Sequence, residues 1–199
     1  MSSMRIPQER IERDFAKHKA TILIDQKLSD DTNLTIINFS TPGTGIGHMR
    51  FTINSNYLTV QGDYGSAVYR WSSPVDISFL ADCSFDYFMG KCEASEGGRD
   101  FEEWDDHSVM SFIGGHLKEM AEENDVMDTY NEHLQRIEAS RFSMHEWREG
   151  LESIPYKDME KLLGNEWYEY LDVGMVPSIR AELHWHGIKR AAESLRVTA

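Results

Sequence analysis

Hydrophobic and polar residues alternate over the first third of the chain, which predicts an antiparallel sheet. Residues 34–40 are rich in β-branched and apolar side chains, and apolar residues recur at every second position in 49–53, 58–60 and 67–71. Short connections rich in Asn or Gly separate the last three segments and are typical of hairpin turns. The pattern predicts an antiparallel meander of about four strands.

The period of the apolar residues changes to three or four after Pro74, which is typical of helices. Gly164 and Gly187 are expected to stop or kink the helices in which they lie. The predicted helices are 8–19 before the sheet and 76–95, 101–124, 125–142, 156–172 and 177–195 after it, with one more beginning after Ser143. We therefore expect an α+β fold, with a small antiparallel meander followed by a mostly helical half. One domain over 1–199 is expected, with sub-regions 1–74 and 75–199.

Composition adds that the chain can bury a core, because 40% of its residues are hydrophobic and 11% are aromatic. It contains no apolar run of about 18 residues, so no membrane span is expected. The opening segment MSSMRIPQERIERDF has no apolar stretch typical of a signal peptide, so we expect a cytoplasmic protein. Cys83 and Cys92 are then expected to be reduced thiols, about 13 Å apart on one helix.

Charge is concentrated in the middle of the chain. The formal charge is −14, and residues 81–175 hold 24 of the 34 acids but only 8 of the 20 bases, a net of −16. Affinity for nucleic acid depends mainly on Lys and Arg at the phosphates, so direct binding of DNA or RNA by this region is not expected. An acidic region is attracted instead to basic surfaces.

Two glycine-containing stretches invite a comparison with phosphate-binding loops. GDYGSAVYRWSS (62–73) leads into alternating residues rather than into a helix, so it predicts a hairpin turn whose Tyr69 and Trp71 are buried beneath the helices. TPGTGIGH (41–48) lies between two predicted strands and has no Lys, so a mobile loop is the favoured interpretation of its glycines, Gly43 to Gly47.

Residues suited to catalysis do not form a recognisable motif. His184 and His186 of HWH could share a metal only if extended, and their surroundings predict a helix, on which they diverge by about 200°. His116 shares a helix face with Glu119, but no third metal ligand is identifiable. Clustered carboxylates, which a metal-dependent hydrolase would need, occur at Glu102, Glu103, Asp105 and Asp106. No catalytic residue, cofactor or metal ligand is therefore assigned.

The acidic helical stretch has two interpretations. It forms either a solvated helical surface or a display of carboxylates that imitates a row of phosphates and fits a Lys- and Arg-lined groove. The residues that would make up this display are Glu119, Glu122, Glu123, Asp125, Asp128 and Glu132.

Residues 62–105 resemble a group of uncharacterised proteins encoded by bacteriophages and prophages. The resemblance covers about a quarter of the chain and consists of GDYGSAVYRW, matching GDxGxAxYxW, then DYFMGKC, matching DYFxxKC, and a Trp-Asp element at 104–105. It carries no catalytic residues over to this chain. It implies phage origin and action in the cytoplasm of an infected bacterium, where small acidic proteins often counter host defence, as anti-CRISPR proteins do.

These observations favour a non-enzymatic, phage-encoded inhibitor over an enzyme. Its expected partner is a host protein or ribonucleoprotein complex with a basic nucleic-acid-binding groove, such as a CRISPR effector, and no cofactor is expected. Two alternatives stay open: a small metal-dependent nuclease or nucleotide hydrolase that uses clustered carboxylates, and a phage structural or assembly protein.

Overall fold

The computed structural model describes residues 6–29, 32–96 and 101–198. The chain divides into two compact units. Unit 1 contains both ends of the chain, Met1–Glu102 and Pro177–Ala199, and unit 2 is the continuous segment Glu103–Val176. The sub-regions predicted from sequence meet near Pro74, inside unit 1.

Unit 1 is built on an antiparallel sheet whose strands follow one another in chain order. The strands are β1 (Lys19–Ser29), β2 (Thr32–Ser40), β3 (Met49–Asn54), β4 (Tyr57–Gly62), β5 (Ala67–Arg70) and β6 (Cys92–Ser95). The helices of this unit are α1 (Gln8–Phe15), α2 (Ile77–Asp82), α3 (Phe85–Met89) and, near the C-terminus, α9 (Ile179–Thr198). The mixed fold of a sheet followed mostly by helices is confirmed.

The predicted number of strands, about four, is wrong, because the sheet has six. β1 was missed since side chains 21–28 are exposed on both faces, so burial imposes no alternation on its sequence. β6 was not predicted because its residues fall at the end of the helix predicted over 76–95. The structure breaks that segment into α2, α3 and β6. Cys83 follows the end of α2 and Cys92 lies in β6, so the prediction that the two cysteines share a helix is wrong.

The inward face of the sheet carries the core of unit 1. Alternate residues of β3, β4 and β5 are buried, as predicted, and α9 packs among them. Gly187 does not stop α9: a Cβ at this position would lie 2.3 Å from Cε of Met49, so glycine lets the helix approach the sheet closely without displacing that side chain. Gly164, by contrast, ends a helix of unit 2 with φ of 77°.

The β4–β5 hairpin turn requires glycine at Gly62. Its φ is 146°, and a Cβ there would lie 2.0 Å from the backbone oxygen of His48. We expect Gly62→Ala to lower the free energy of unfolding by about 2 kcal/mol or more, because the strained backbone and the clash add together. Gly45→Ala is the control, since its Cβ meets no atom within 4 Å, and should change stability by about 0.5 kcal/mol at most. Equal losses in denaturant titrations of the two variants would contradict the requirement.

Unit 2 is a helical bundle around its own core, which includes Phe112 and the fully buried Trp147. Its helices are α4 (Asp106–Phe112), α5 (Lys118–Glu123), α6 (Met127–Ala139), α7 (Met144–Glu152) and α8 (Tyr156–Leu163), with a π-helical turn at Ile113–Leu117 and a 3₁₀ turn at Trp167–Tyr170. α7 begins after Ser143, as predicted, and Ser143 caps it, because Ser143 Oγ accepts a hydrogen bond from the Glu146 amide at 3.2 Å. The short strands β7 (Glu102–Trp104) and β8 (Met175–Pro177) pair where the chain enters and leaves unit 2.

Candidate functional site

The GDYG stretch is a hairpin turn between β4 and β5 that is tied to α9 by His184. The backbone oxygen of Tyr64 in the turn accepts a hydrogen bond from Nε2 of His184 at 3.1 Å. Nδ1 of the same ring lies 3.2 Å from the hydroxyl of Tyr69 on β5. Because a carbonyl oxygen can only accept, Nε2 carries the proton in the neutral ring, and the Tyr69 hydroxyl donates to Nδ1. The stretch is therefore structural rather than a phosphate-binding loop.

Burial sets the protonation state of this histidine. His184 is fully buried, and loss of hydration, opposed by its hydrogen bonds to the turn, lowers its pKa from 6.5 to about 4. Burial likewise raises the pKa of Tyr69 well above its ordinary value. Both groups are neutral near pH 7, as a buried hydrogen-bonded pair requires.

Acidification should destabilise the protein through His184. The unfolded chain binds a proton here below about pH 6.5, whereas the folded protein does so only near pH 4, so stability is lost as the pH falls through this window. We expect a loss of about 2 kcal/mol between pH 7 and pH 5 from this residue. The pH dependence of unfolding should become shallower by that amount in His184→Gln. The exposed His145→Gln is the control and should keep the wild-type slope; an unchanged slope in His184→Gln would refute the assignment.

The second histidine of HWH is also buried in α9. His186 packs edge-on against Trp185, with ring centroids 4.7 Å apart, and its Nε2 has no hydrogen-bond partner among the described residues. Burial is the main cause that lowers its pKa to about 4. HWH is helical, as predicted, so its two rings do not share a face.

The cysteines and clustered carboxylates have local structural contacts. Cys83 Sγ donates to the backbone oxygen of Phe79 at 3.3 Å, burial raises the pKa of the thiol, and no disulfide joins it to Cys92. Asp105 caps α4 by accepting hydrogen bonds from the amide and the hydroxyl of Ser108 at 3.0 and 2.7 Å. Within the described residues, no three His, Cys, Asp or Glu side chains form a group suited to a metal ion.

The structure places all six predicted partner-binding carboxylates on exposed positions of unit 2. Glu119, Glu122 and Glu123 lie on α5, Asp125 lies in the turn after it, and Asp128 and Glu132 lie on α6. The opposite sides of these helices are buried through Ala121, Tyr130, His133 and Ile137. We call these six residues the acidic helix pair.

A tight turn connects α5 to α6, the two helices that carry the acidic helix pair. The amide of Val126 donates to the backbone oxygen of Ala121 at 2.9 Å, and Asp125 takes a positive φ of 55°. Glu119 and Asp128 lie in the first turns of α5 and α6, where a negative charge also favours the helix itself. Part of this acidity therefore has a structural explanation.

The carboxylates of the acidic helix pair are largely uncompensated. Glu122 lies 3.8 Å from the ammonium of Lys118, and no other member forms an ion pair within the described part of the chain. From Glu119 to Glu132 the sequence contains six acids and no Lys or Arg. A negative potential at this surface follows from this excess of carboxylates, which Lys118 offsets only in part.

The negative charge coincides with a structural unit. Unit 2 contains 18 acids and 6 Lys or Arg, a net of −12, so only −2 of the total charge of −14 belongs to unit 1. The sequence located the acidic region at 81–175 but not its boundaries, because residues 81–102 belong to the sheet-containing unit.

Unit 1 has a cavity of about 570 Å³ that sequence reasoning missed. Phe15 and Phe39 supply apolar walls, and Lys19 and Arg190 supply cationic groups. Arg190 is partly neutralised, since Nη1 lies 3.0 Å from a Glu193 carboxylate oxygen. The full lining is Phe15, His18, Lys19, Ala20, Thr21, Phe39, Arg190, Glu193, Ser194 and Val197. No local motif could reveal this cavity, because its lining comes from two segments far apart in the sequence, 15–39 and 190–197.

The Gly43–Gly47 segment is a loop between β2 and β3, as predicted. Its end is held by His18, whose Nε2 donates to the backbone oxygen of Gly47 at 2.9 Å. Thr41 Oγ1 lies 3.3 Å from Nδ1 of the same ring. This loop belongs to unit 1, and residues 41–48 contain no Lys or Arg, the cationic side chains typical of a phosphate site.

Comparison of the chain with known proteins found no relative. In the described residues, no helix is both long and apolar enough to cross a membrane. No protein-family model matches the chain, and no similar curated protein or solved structure was found. Inferences about function therefore depend on the residues and geometry of this chain.

Proposed function

We propose that the protein is a non-enzymatic inhibitor whose acidic unit occupies a basic, nucleic-acid-binding groove on another protein. The observation that carries this proposal is the charge of unit 2, a net of −12 within 74 residues of one compact unit. The exposed acidic helix pair supplies the contact surface. A groove lined by Lys and Arg is the complementary partner.

The spacing of the carboxylates supports imitation of a nucleic-acid backbone. Members three or four residues apart on α5 and α6 are separated by about 4.5–6 Å along the helix axis. Each strand of duplex DNA presents a phosphate about every 3.4 Å of its axis. One helix is therefore sparser in charge than a DNA strand, and two acidic helices joined by a short turn bring the charge density closer to it.

The proposed setting is the cytoplasm of a phage-infected bacterium. It follows from the resemblance of residues 62–105 to phage and prophage proteins, which also favours a CRISPR effector or another defence complex as the partner. No family model or similar protein supports this resemblance, so the setting is proposed from the quoted motifs alone. The surface that would bind the partner lies outside the segment of resemblance.

The test is a comparison of two baits in a bacterial lysate at about 0.1 M salt. Wild-type protein should retain a nucleic-acid-handling complex that is absent from the eluate of a variant with Glu119, Glu122, Glu123 and Asp128 changed to Lys. Purified complex should then lose its DNA or RNA when wild-type protein is added, as measured by a gel-shift assay. Retention of the same complex by both baits would overturn the proposal.

A further inference from the structure

β1 lies at the edge of the sheet and pairs only with β2 among the described strands. α9 covers its beginning, where the amide of Ala20 donates to Oγ of Ser194 at 3.1 Å. From Thr21 to Leu28 every side chain is exposed. The strand therefore extends past the covered core as one half of a hairpin with β2.

The exposed part of β1 is unusually apolar for an edge. Ile22, Leu23, Ile24 and Leu28 have 39–52% of their surfaces exposed. Register irregularities against β2 occur between Ile22 and Ile24 and between Lys27 and Ser29, which leaves residues 24–27 in continuous register. Long apolar edges present unpaired amide and carbonyl groups and attract another strand.

We propose that β1 pairs antiparallel with β1 of a second copy of this chain, centred on Gln26. This register places Asp25 opposite Lys27 of the second copy and Ile24 opposite Leu28 of the second copy. Two-fold symmetry repeats each pair, so one register supplies two opposite-charge pairs and two apolar pairs.

Neighbouring symmetric registers are less complementary. Centring on Asp25 would oppose two like charges, and centring on Ile24 would place Asp25 opposite Leu23. Centring on Ile22 would use Lys19 and Ala20, where α9 already covers the strand. Only the Gln26 register matches both charge and apolarity along the uncovered part of β1. In this dimer, two six-stranded sheets join into one continuous sheet.

Sedimentation of the full chain from about 1 to 100 µM tests the proposal. The wild type should form a species of twice 23.0 kDa, and Ile24→Lys with Leu28→Lys should weaken dimerisation at least tenfold by placing Lys opposite Lys. The matched control changes two other exposed apolar residues of unit 1, Ile46→Lys and Val197→Lys, and should dimerise as the wild type does.

A charge-swap experiment separates loss of the interface from loss of folding. The double variant Ile24→Glu with Leu28→Glu should be monomeric alone and should form a heterodimer with the Lys variant, because each Lys then faces a Glu. Gln26→Cys should give a disulfide between two copies of position 26 on oxidation, identified by peptide mass spectrometry. Gln61→Cys, exposed on a central strand, should not.

Three outcomes would overturn the proposal. A wild type that is monomeric throughout the range would exclude self-pairing and leave β1 as an edge for a segment of another protein. A dimer that survives the Lys substitutions would place the interface elsewhere. The pairing of positions 24 and 28 would be rejected if the Lys and Glu variants do not associate although circular dichroism shows that each is folded.

Discussion

Changing Glu119, Glu122, Glu123 and Asp128 to Lys will weaken partner binding by about 30-fold or more at 0.1 M salt. An exposed charge pair contributes a factor of about two to five, and reversal replaces attraction with repulsion at four neighbouring positions. A single change such as Glu122→Lys should have a small effect, because many carboxylates share the attraction. Surface plasmon resonance against the complex recovered from the lysate measures both effects.

Slower association will account for most of this loss. Long-range attraction between the acidic unit and a basic groove accelerates encounter, and salt screens it over a Debye length of about 10 Å at 0.1 M. Raising salt from about 0.05 to 0.5 M should therefore weaken wild-type binding strongly. The same change should affect the four-residue variant much less, since the screened interaction has already been removed.

A second variant, with the same net charge as the first four-residue variant, tests whether the position of the charges matters. Changing Glu152, Glu160, Glu166 and Glu169 to Lys also reverses four exposed carboxylates of unit 2, but outside the acidic helix pair. It should retain most of the wild-type affinity. If both variants lose affinity equally, the acidic helix pair is no specific site and the unit acts through its total charge; if neither does, its acidity serves solubility alone.

Burial on one face explains which strands could be predicted from sequence. β3 and β4 alternate because Phe51 and Leu58 point into the core while their neighbours face solvent. β1 obeys no such rule, since both of its faces are exposed beyond Ala20. The exposed apolar residues of β1 are also the ones that suggest pairing with a second copy. Exposure of both faces of β1 therefore explains both why this strand was not predicted and why we propose an interface there.

The acidic surface was predictable because helical periodicity is local. Ala121 and Tyr130 mark the buried sides of α5 and α6, and the carboxylates fall on the remaining positions. The contacts of His184 were not predictable in the same way. They join the turn at Tyr64 and the strand at Tyr69 to a helix more than 100 residues later, and no sequence period encodes that meeting.

Replacing Trp71 with Ala will cost unit 1 about 3–5 kcal/mol, as is usual for deletion of a large buried aromatic side chain. Trp71 is 3% exposed and follows β5, with its ring centroid 6.4 Å from that of Tyr69 and 6.3 Å from that of Phe88. The Trp71 amide donates to the backbone oxygen of Asn56 at 2.9 Å, and the Trp71 backbone oxygen accepts from Nδ2 of Asn56 at 2.8 Å, so these bonds fix the ring over the core. Truncation would leave a cavity between sheet and helices.

Trp71→Phe is the matched variant for this prediction. The indole Nε1 is buried with no hydrogen-bond partner among the described residues, so phenylalanine keeps an aromatic ring and removes an unpaired donor. Its loss of stability should be less than half that of Trp71→Ala. Guanidinium titrations give the two free energies, and hydrogen exchange of the β3–β5 amides assigns the loss to unit 1. A cost below about 1 kcal/mol for Trp71→Ala would contradict burial of this ring and make the GDYG hairpin a candidate binding surface again.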